Sequence, residues 1–179
     1  ITKTQQSLLV KDMESPLFMK FYHIKEDFIT YLRQFDTKVA ENKNQTRPYV
    51  GIVLEVNSVK YYAPFSSPKP KHKKMKNGKD FRKINNGLYG AINFNNMIPV
   101  LDSALIEIDI ANITDVKYRR LLQNQYNSIK SDEKGILRTA ENLRKLLFDE
   151  ERNLSEYDRI IKQRCCNLVL LEEKYVGWK

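Results

Sequence analysis

Apolar and polar positions follow two different spacings in the first quarter of the chain. The segment KFYHI, residues 20–24, is short and rich in aromatic and β-branched side chains, which is typical of a β-strand. The next segment, KEDFITYLRQFD, carries apolar side chains at helical spacing behind two acids, which predicts an amphipathic helix. Residues 37–48 are polar, show no period and end in a proline, so we expect a long loop there.

Apolar runs of strand length in the middle of the chain predict two β-hairpins. YVGIVLEV (residues 49–56) and VKYYAPF (residues 59–65) flank the turn residues Asn57 and Ser58. DFRKI and LYGAINF flank the sequence NNG, which is a second hairpin signal. NMIPVL and ALIEIDI then add one or two strands. We therefore expect these strands to form an antiparallel sheet.

The apolar positions change to a helical period in the last third of the chain. One helical face comprises Leu121, Leu122, Gln125, Tyr126 and Ile129. A second recurs at helical spacing from Ile136, Ser155 with Asp158 resembles a helix start, and NLVLLEEKYVGW predicts a final helix. Strands followed by helices are typical of an α+β fold, so we expect a single compact domain in which helices pack on a bent antiparallel sheet or partly open barrel.

Composition narrows the class of protein further. With 41% hydrophobic residues among 179, the chain suits one compact domain, and no apolar run approaches the length of a membrane span. The first 18 residues are too polar for a signal peptide, so we expect a soluble cytoplasmic protein. The two cysteines, Cys165 and Cys166, are adjacent, and with two scattered histidines they have no zinc-ligand spacing. We expect them to pack in the core, with no metal and no cofactor.

Positive charge is concentrated in residues 66–83, which we call the lysine segment. Of the net charge of +9, this segment supplies eight cationic side chains against one acid, Asp80. The cations are Lys69, Lys71, Lys73, Lys74, Lys76, Lys79, Arg82 and Lys83. Because each neutralised phosphate releases condensed counterions, a local cluster of this kind indicates a polyanionic partner.

The chemistry that these residues support is narrow. The chain has no HExxH, GxSxG, P-loop or acidic trio for Mg²⁺, which disfavours two-metal nuclease chemistry. RNA carries its own 2′-hydroxyl nucleophile, so an enzyme need only align the attack, move protons and neutralise the phosphorane. Ser66, Ser67 and Lys69 follow one hairpin strand, and Arg47 precedes the other. If the turn lies at residues 57–58, these groups meet at the open end of the strand pair.

Less specific interpretations remain open for each of these residues. Serines before a proline are more often turn formers than catalysts, and a lysine run is more often a solvated or nucleic-acid-holding loop. Tyr49 and its aromatic neighbours are mostly core material, although a rim tyrosine stacks bases in some RNA-binding proteins. His23 lies in an apolar strand and is expected to be structural. His72 is expected to be exposed among lysines, which depress its protonation and disfavour it as a base.

Four sequence blocks between residue 19 and about residue 175 are MKFYHIKEDFITYLRQFD, RPYVGIVLEVNSVKYYAPFSSPK, GAINFNNMIPV and CCNLVLLEEKY. In this order they resemble the ToxN/AbiQ family of endoribonuclease toxins from bacterial type III toxin–antitoxin and phage abortive-infection systems. The most specific parts of this resemblance are the strand that runs into Pro-x-(Ser/Thr)-Ser-Pro-Lys and the late Leu-Leu-Glu-Glu-Lys-Tyr. Residues 1–18 precede the usual start and are expected to be an extension of a domain spanning residues 19–179.

The resemblance implies a fold, an activity and a partner. The fold is a strongly bent antiparallel sheet with surrounding helices, similar to the MazF/Kid toxins. The activity is metal-independent, sequence-selective RNA cleavage that leaves a 2′,3′-cyclic phosphate, directed at messenger or phage RNA. The partner is a small repeated RNA antitoxin, folded as a pseudoknot, which the toxin cuts from a precursor and holds in a closed toxin–RNA assembly. Neither DNA nor a membrane is implied.

The resemblance also implies roles for individual residues. Ser67 matches the catalytic serine, with Ser66 beside it where many relatives have threonine, and Lys69 matches the lysine after the proline. Arg47 falls where some relatives carry lysine, which keeps the charge but changes the hydrogen-bonding geometry. The residues expected to bind RNA are Lys38, Tyr49, Lys71, Lys73, Lys74, Lys76, Lys79, Arg82 and Lys83.

Two other classes of protein remain as alternatives. A non-catalytic module that holds a structured RNA fits the composition equally well, and only the Ser-Ser-Pro-Lys context and the family resemblance favour the enzyme. A DNA-binding regulator is the weaker alternative, because no helix-turn-helix signal accompanies the late helices.

Overall fold

The computed structural model describes residues 19–150 and 153–179. The strands are β1 (Lys20–Ile24), β2 (Tyr49–Val56), β3 (Val59–Ser66), β4 (Phe81–Lys83), β5 (Ala91–Asn93), β6 (Ile98–Pro99) and β7 (Leu105–Glu107). The helices are α1 (Glu26–Arg33), α2 (Pro70–Lys74), α3 (Val116–Ser131), α4 (Glu133–Phe148), α5 (Glu156–Arg164) and α6 (Leu168–Lys174). Short 3₁₀ turns occur at Asn85–Gly87, Phe94–Asn96, Asp102–Ala104, Ile110–Asn112 and Tyr175–Gly177.

The strands form one antiparallel sheet in the order β4-β5-β3-β2-β1-β7, with β6 paired to β3. Both predicted hairpins are present, as β2–β3 and β4–β5. Asn57 and Ser58 have φ values of 50° and 65°, as the two central residues of a type I′ turn require. The turn therefore lies where the sequence places it, and this fixes the register of the long hairpin.

Strand β3 bends the sheet because it changes partner along its length. Its first half pairs with β6 at Tyr61 and Tyr62, and its end pairs with β5 at Phe65 and Ser66. The sheet does not close, since β4 and β7 remain its two edges. The predicted α+β domain with an open, bent antiparallel sheet is confirmed. The likeness to the MazF/Kid toxins stays a prediction.

Helices pack against the sheet and complete one apolar core. Helix α4 contacts β2, and helix α6 contacts β6. A partly buried polar cluster joins these layers, because the Tyr61 hydroxyl donates to Glu172 and the Arg144 guanidinium donates to the same carboxylate at 3.0 Å. Burial raises the pKa of Glu172. The predicted helix start at Ser155 is also confirmed, since its hydroxyl accepts the Asp158 N–H at 3.1 Å.

Two sequence-based predictions concern the ends and the environment of the chain. Residues 1–18, predicted as an extension, lie outside the described residues, so the boundary at residue 19 stays a prediction. Of the helices in the described part of the chain, none combines the length and the apolar character needed to span a bilayer.

Candidate active site

The Ser66–Ser67 pair lies where β3 leaves the sheet. Ser66 is the last residue of β3 and pairs with Ala91 of β5. Its side chain is half-buried, whereas Ser67 is exposed. The last hydrogen-bonded residue of a long strand thus delivers Ser67 to the surface, and the hydroxyl is accessible to a large ligand.

Two further groups fix the peptide that carries Ser67. Gln125 of α3 is only 2% exposed, and its Nε2 donates to the Tyr89 carbonyl at 2.8 Å and to the Ser66 carbonyl at 3.4 Å. Gly90 has φ +97°, and a Cβ built there would lie 1.9 Å from the Ser66 carbonyl oxygen. Close backbone contact on one side and a buried amide on the other therefore hold the end of β3.

Gln125 was missed as a site residue by sequence reasoning. The sequence did contain a signal, because Gln125 stands at an apolar position of the predicted helical face of α3. A buried amide in such a position needs hydrogen-bond partners, since an unpaired polar group costs about 1–3 kcal/mol. Its partners are the two backbone carbonyls beside the serines.

Lys69 begins a short helix that the sequence did not predict. The Lys69 N–H donates to Nδ1 of His72 at 3.1 Å, and the His72 N–H donates to the Lys69 carbonyl at 2.9 Å. Pro70 follows at the first helical position, where its missing N–H is harmless. The interpretation of the lysine run as a loop is therefore corrected in part, because this reciprocal pair of bonds closes a helical turn over Pro70–Lys74.

His72 is buried rather than exposed, and this corrects a second prediction. Its residue is 2% exposed, with its ring 6.0 Å from that of Phe81. Gly87 packs so closely below it that a Cβ there would lie 2.6 Å from the His72 carbonyl oxygen. Burial, together with the neighbouring Lys69 and Lys71 charges, lowers the pKa of His72. The neutral ring thus serves as an acceptor that fixes Lys69.

Stability should therefore depend on pH through His72. A histidine whose folded pKa is lowered stabilises the fold fully above its unfolded value of about 6.5, and this contribution is lost as the pH falls below it. In His72→Asn, the amide oxygen replaces Nδ1 as the acceptor and does not titrate. Urea unfolding at pH 7.5, 6.5 and 5.5 should show a smaller loss of stability in the variant than in the wild type. Parallel losses in the two proteins would contradict this role.

Arg47 lies at the same open end of the hairpin as the serines, as predicted. Tyr49 pairs with Pro64, and the Phe65 N–H donates to the Pro48 carbonyl at 3.2 Å, so the chain before β2 runs beside the end of β3. The Arg47 Nε donates to the Glu41 carbonyl at 2.6 Å. That bond uses one of five N–H groups, and the remaining donors of the guanidinium stay available for an anion.

The cations of the lysine segment divide into two groups. Lys71, Lys73, Lys74 and Lys76 are exposed, and the ion pairs within residues 19–150 and 153–179 do not involve them. In the second group, Lys79 pairs with Asp158, and Arg82 binds both carboxylate oxygens of Asp132, at 2.6 and 2.7 Å. Lys83 is half-buried. The freely presented charge is therefore on and just after α2.

A buried ion pair anchors the far end of the lysine segment. The Asp80 side chain is 3% exposed, and both of its oxygens accept from Arg164 of α5 at 2.6 Å. This bond raises the pKa of Arg164, since its hydrogen bond with the carboxylate favours the charged guanidinium. The segment is thus tied at its start by His72 and near its end by Asp80.

Two of the predicted RNA-binding residues, Tyr49 and Lys38, do not lie beside the exposed lysines of α2. Tyr49 is 0% exposed and belongs to the core, so it has no face on which a base could stack, and the prediction for it is wrong. Burial also raises the pKa of its phenol far above the ordinary value. Lys38 is exposed but lies in the loop after α1, where its carbonyl accepts from Asn96 at 2.8 Å, and not beside the exposed lysines of α2.

Cys165 and Cys166 fill the core as free thiols, as predicted. Each is 1% exposed, and burial raises the pKa of Cys165 to about 12. No group of three or more His, Cys, Asp or Glu side chains with metal-binding geometry occurs in the part of the chain that the structure describes.

Comparison with known proteins supplies the family. The model of "Toxin ToxN, type III toxin–antitoxin system" matches residues 20–176. The endoribonuclease ToxN of Pectobacterium atrosepticum is 34% identical over 167 residues, which cover 88% of this chain and 92% of that protein. The predicted resemblance is therefore confirmed.

Solved structures agree with the sequence matches. A toxin structure from work on selective toxin inhibition by a non-coding RNA pseudoknot has a TM-score of 0.78 at 32% identity, covering 89% of this chain and 96% of that chain. The structure of AbiQ, a lactococcal anti-phage endoribonuclease, has a TM-score of 0.70 at 26% identity, covering 89% and 96% of the two chains. This chain thus belongs to the ToxN family of type III toxin–antitoxin systems, whose named relatives are endoribonucleases.

Proposed function

We propose that this protein is a cytoplasmic endoribonuclease toxin that cuts RNA without a metal ion and leaves 2′,3′-cyclic phosphate ends. In this reaction the 2′-oxygen of the substrate forms a bond to phosphorus, and the bond from phosphorus to the 5′-oxygen breaks. A proton leaves the 2′-hydroxyl, and a proton reaches the departing 5′-oxygen. The observation that supports the proposal is the exposed end of β3, where Ser67 precedes the Lys69 turn and the chain that carries Arg47 runs alongside.

The residues at this end of β3 have different roles in the transesterification. Ser67 hydrogen-bonds at the reacting centre and positions the 2′-hydroxyl or relays a proton, and Ser66 assists it. Lys69 and Arg47 stabilise the negative charge that develops on the phosphorane, which is the largest contribution in reactions of this type. The lysines of α2 hold neighbouring phosphates, since they are exposed and their ammonium groups act as point charges.

The inhibitor is proposed to be a pseudoknot RNA held over the same site. A related toxin of this fold is selectively inhibited by a non-coding RNA pseudoknot. An RNA that covers Ser67 and the exposed lysines of α2 prevents cleavage of other RNAs. We propose that the protein releases this RNA from a repeated precursor, forms a closed toxin–RNA assembly with it, and acts on messenger or phage RNA when free.

The metal-free reaction is tested with total RNA and purified protein. Cleavage should continue at an undiminished rate in excess EDTA, and the products should carry 2′,3′-cyclic phosphate ends that a phosphatase leaves intact until acid opens them. Loss of cleavage in EDTA, restored by Mg²⁺, would contradict the mechanism. Tight RNA binding with no cleavage at substrate excess would instead support the non-catalytic binding module.

A further inference from the structure

A second cationic site lies outside the serine end of β3. A cavity of about 400 Å³ opens between the loop after α1, the helix α5 and the start of α6. Lys38, Arg159 and Lys162 line it together with the amides of Gln163 and Asn167. All of its charged lining residues in the described part of the chain are cationic, which favours an anionic ligand. The nearby Asp36 carboxylate is occupied by the N–H groups of Lys38 and Asn167.

The three cations form no ion pair with a described residue, and the backbone of Lys38 and the ammonium of Lys162 are hydrogen-bonded. Lys38 is fixed through its backbone, whose N–H donates to Asp36 Oδ1 at 2.9 Å and whose carbonyl accepts from Asn96. The Lys162 Nζ donates to the uncharged Asp149 carbonyl at 2.8 Å. The ion pairs found in residues 19–150 and 153–179 involve none of Lys38, Arg159 and Lys162.

The chemistry of the lining points to a phosphate group. A guanidinium binds two oxygens of a phosphate at once, and ammonium groups add point charges beside it. The described lining has no aromatic side chain on which a base could stack. Recognition is therefore directed at the phosphate and not at the base, and a strand bound there is read without regard to sequence.

Helix α5 connects this cavity to the lysine segment. Asp158 in its first turn pairs with Lys79, and Lys162, one turn later on the same side of the helix, lines the cavity. Arg164 at its end holds Asp80 of the same segment. Helix α5 therefore joins the lysine segment to the cavity through two ion pairs, Lys79–Asp158 and Asp80–Arg164, and the unpaired charge lies at the two ends of this route, on α2 and in the cavity.

We propose that this cavity binds backbone phosphates of a long RNA whose cleavable part lies at Ser67, an inference that rests on the proposed function. The cavity adds affinity for long RNA, including a folded inhibitor RNA, and takes no part in bond breaking. A short substrate that spans only the serine end does not reach it.

The test compares two RNA probes on Arg159→Gln/Lys162→Gln. The first probe is a 40-nucleotide 2′-O-methyl RNA, which has no free 2′-hydroxyl and remains intact during binding. Its affinity should fall roughly tenfold near 150 mM salt, and the slope of log K against log salt should become shallower by about 1.4, as expected for two lost phosphate contacts on a single strand. The second probe, a cleavable hexanucleotide, should be cut within about twofold of the wild-type rate.

Matched variants separate the cavity from general charge. Lys117→Gln/Arg138→Gln removes one lysine and one arginine from exposed positions on α3 and α4, and it should leave the 40-nucleotide affinity and slope unchanged. Arg159→Lys/Lys162→Arg keeps both charges and should retain most of the affinity. If the glutamine variant folds poorly, the RNA affinity of Arg159→Lys/Lys162→Arg is compared with that of the wild type instead.

Three results would overturn the inference. The first is an unchanged slope and affinity in Arg159→Gln/Lys162→Gln. The second is an equal loss in the control variant Lys117→Gln/Arg138→Gln. The third is thermal stabilisation of the wild type alone by inorganic phosphate or AMP with unaltered binding of the 40-nucleotide RNA, which would assign the cavity to a free phosphate compound. Binding of the uncleavable RNA is measured without turnover, so a failure of the proposed cleavage mechanism is detected separately.

Discussion

Replacing Ser67 with alanine should lower the single-turnover rate of RNA cleavage by about 10²–10³-fold, which corresponds to about 3–4 kcal/mol of transition-state stabilisation. The hydroxyl is exposed at the end of β3, where it can reach a bound phosphodiester. Its removal leaves no buried group unpaired, so the free energy of unfolding should change by less than about 0.5 kcal/mol. Affinity for an uncleavable RNA should also stay close to that of the wild type, because the lysines remain.

A serine of similar exposure provides the control for this prediction. Ser103 is exposed in the 3₁₀ turn Asp102–Ala104, remote in sequence from the lysine segment. Ser103→Ala should cut RNA at the wild-type rate and arrest growth equally when expressed without an inhibitor RNA. Equal cleavage by wild type and Ser67→Ala would remove Ser67 from the mechanism. A rate loss that follows a loss of folded protein would also contradict the catalytic interpretation.

Replacing Gly90 with alanine should destabilise the protein and reduce RNA cleavage more than any other glycine-to-alanine substitution near the site. The residue has φ +97°, and the new Cβ would lie 1.9 Å from the Ser66 carbonyl oxygen and 3.0 Å from the Ser67 carbonyl carbon. Backbone strain alone costs about 1–3 kcal/mol, and the overlap forces the end of β3 to move. We expect a loss of at least about 3 kcal/mol in the free energy of unfolding, together with a sharp fall in cleavage by the folded fraction.

Gly78 offers a matched control within the lysine segment. A Cβ there meets only the Tyr157 hydroxyl, at 3.7 Å, which is an ordinary contact. Gly78→Ala should therefore change stability and cleavage little, as measured by urea unfolding and single-turnover assays on both variants. If Gly90→Ala proves too unstable to purify, Gln125→Met tests the same strand end by removing the amide that binds the Ser66 and Tyr89 carbonyls. Wild-type stability and cleavage in both Gly90→Ala and Gln125→Met would contradict the account of this site.

The elements that the sequence predicted well are those with local signals. The strand at residues 20–24 and the strand pair around Asn57 and Ser58 appear where apolar runs and turn residues place them. The period of the last third likewise predicts its helices. In each case neighbouring residues decide the conformation, since the same side chains form the turn, the strand face or the helical face.

The features that the sequence did not predict depend on contacts between distant segments. Helix α2 is five residues long, too short to show a period, and it is held by His72, whose burial depends on Phe81 and Gly87. RNA binding by Tyr49 required it to lie at a rim, but the residue is 0% exposed in the folded protein. Lys38 lies beside α5, not beside the lysine segment. This position depends on how the helices pack, and no local sequence pattern encodes that packing.

The central claim is that the nucleophile is the 2′-hydroxyl of the RNA, aligned at Ser67. The most direct measurement uses a short RNA containing one mapped cleavage site, made with ribose or with 2′-deoxyribose at the nucleotide whose 2′-oxygen would attack. We predict that the wild-type protein cuts the ribose version in EDTA and leaves that bond intact in the deoxy version while binding both. Cleavage of the deoxy bond at a rate near that of the ribose bond would contradict the account.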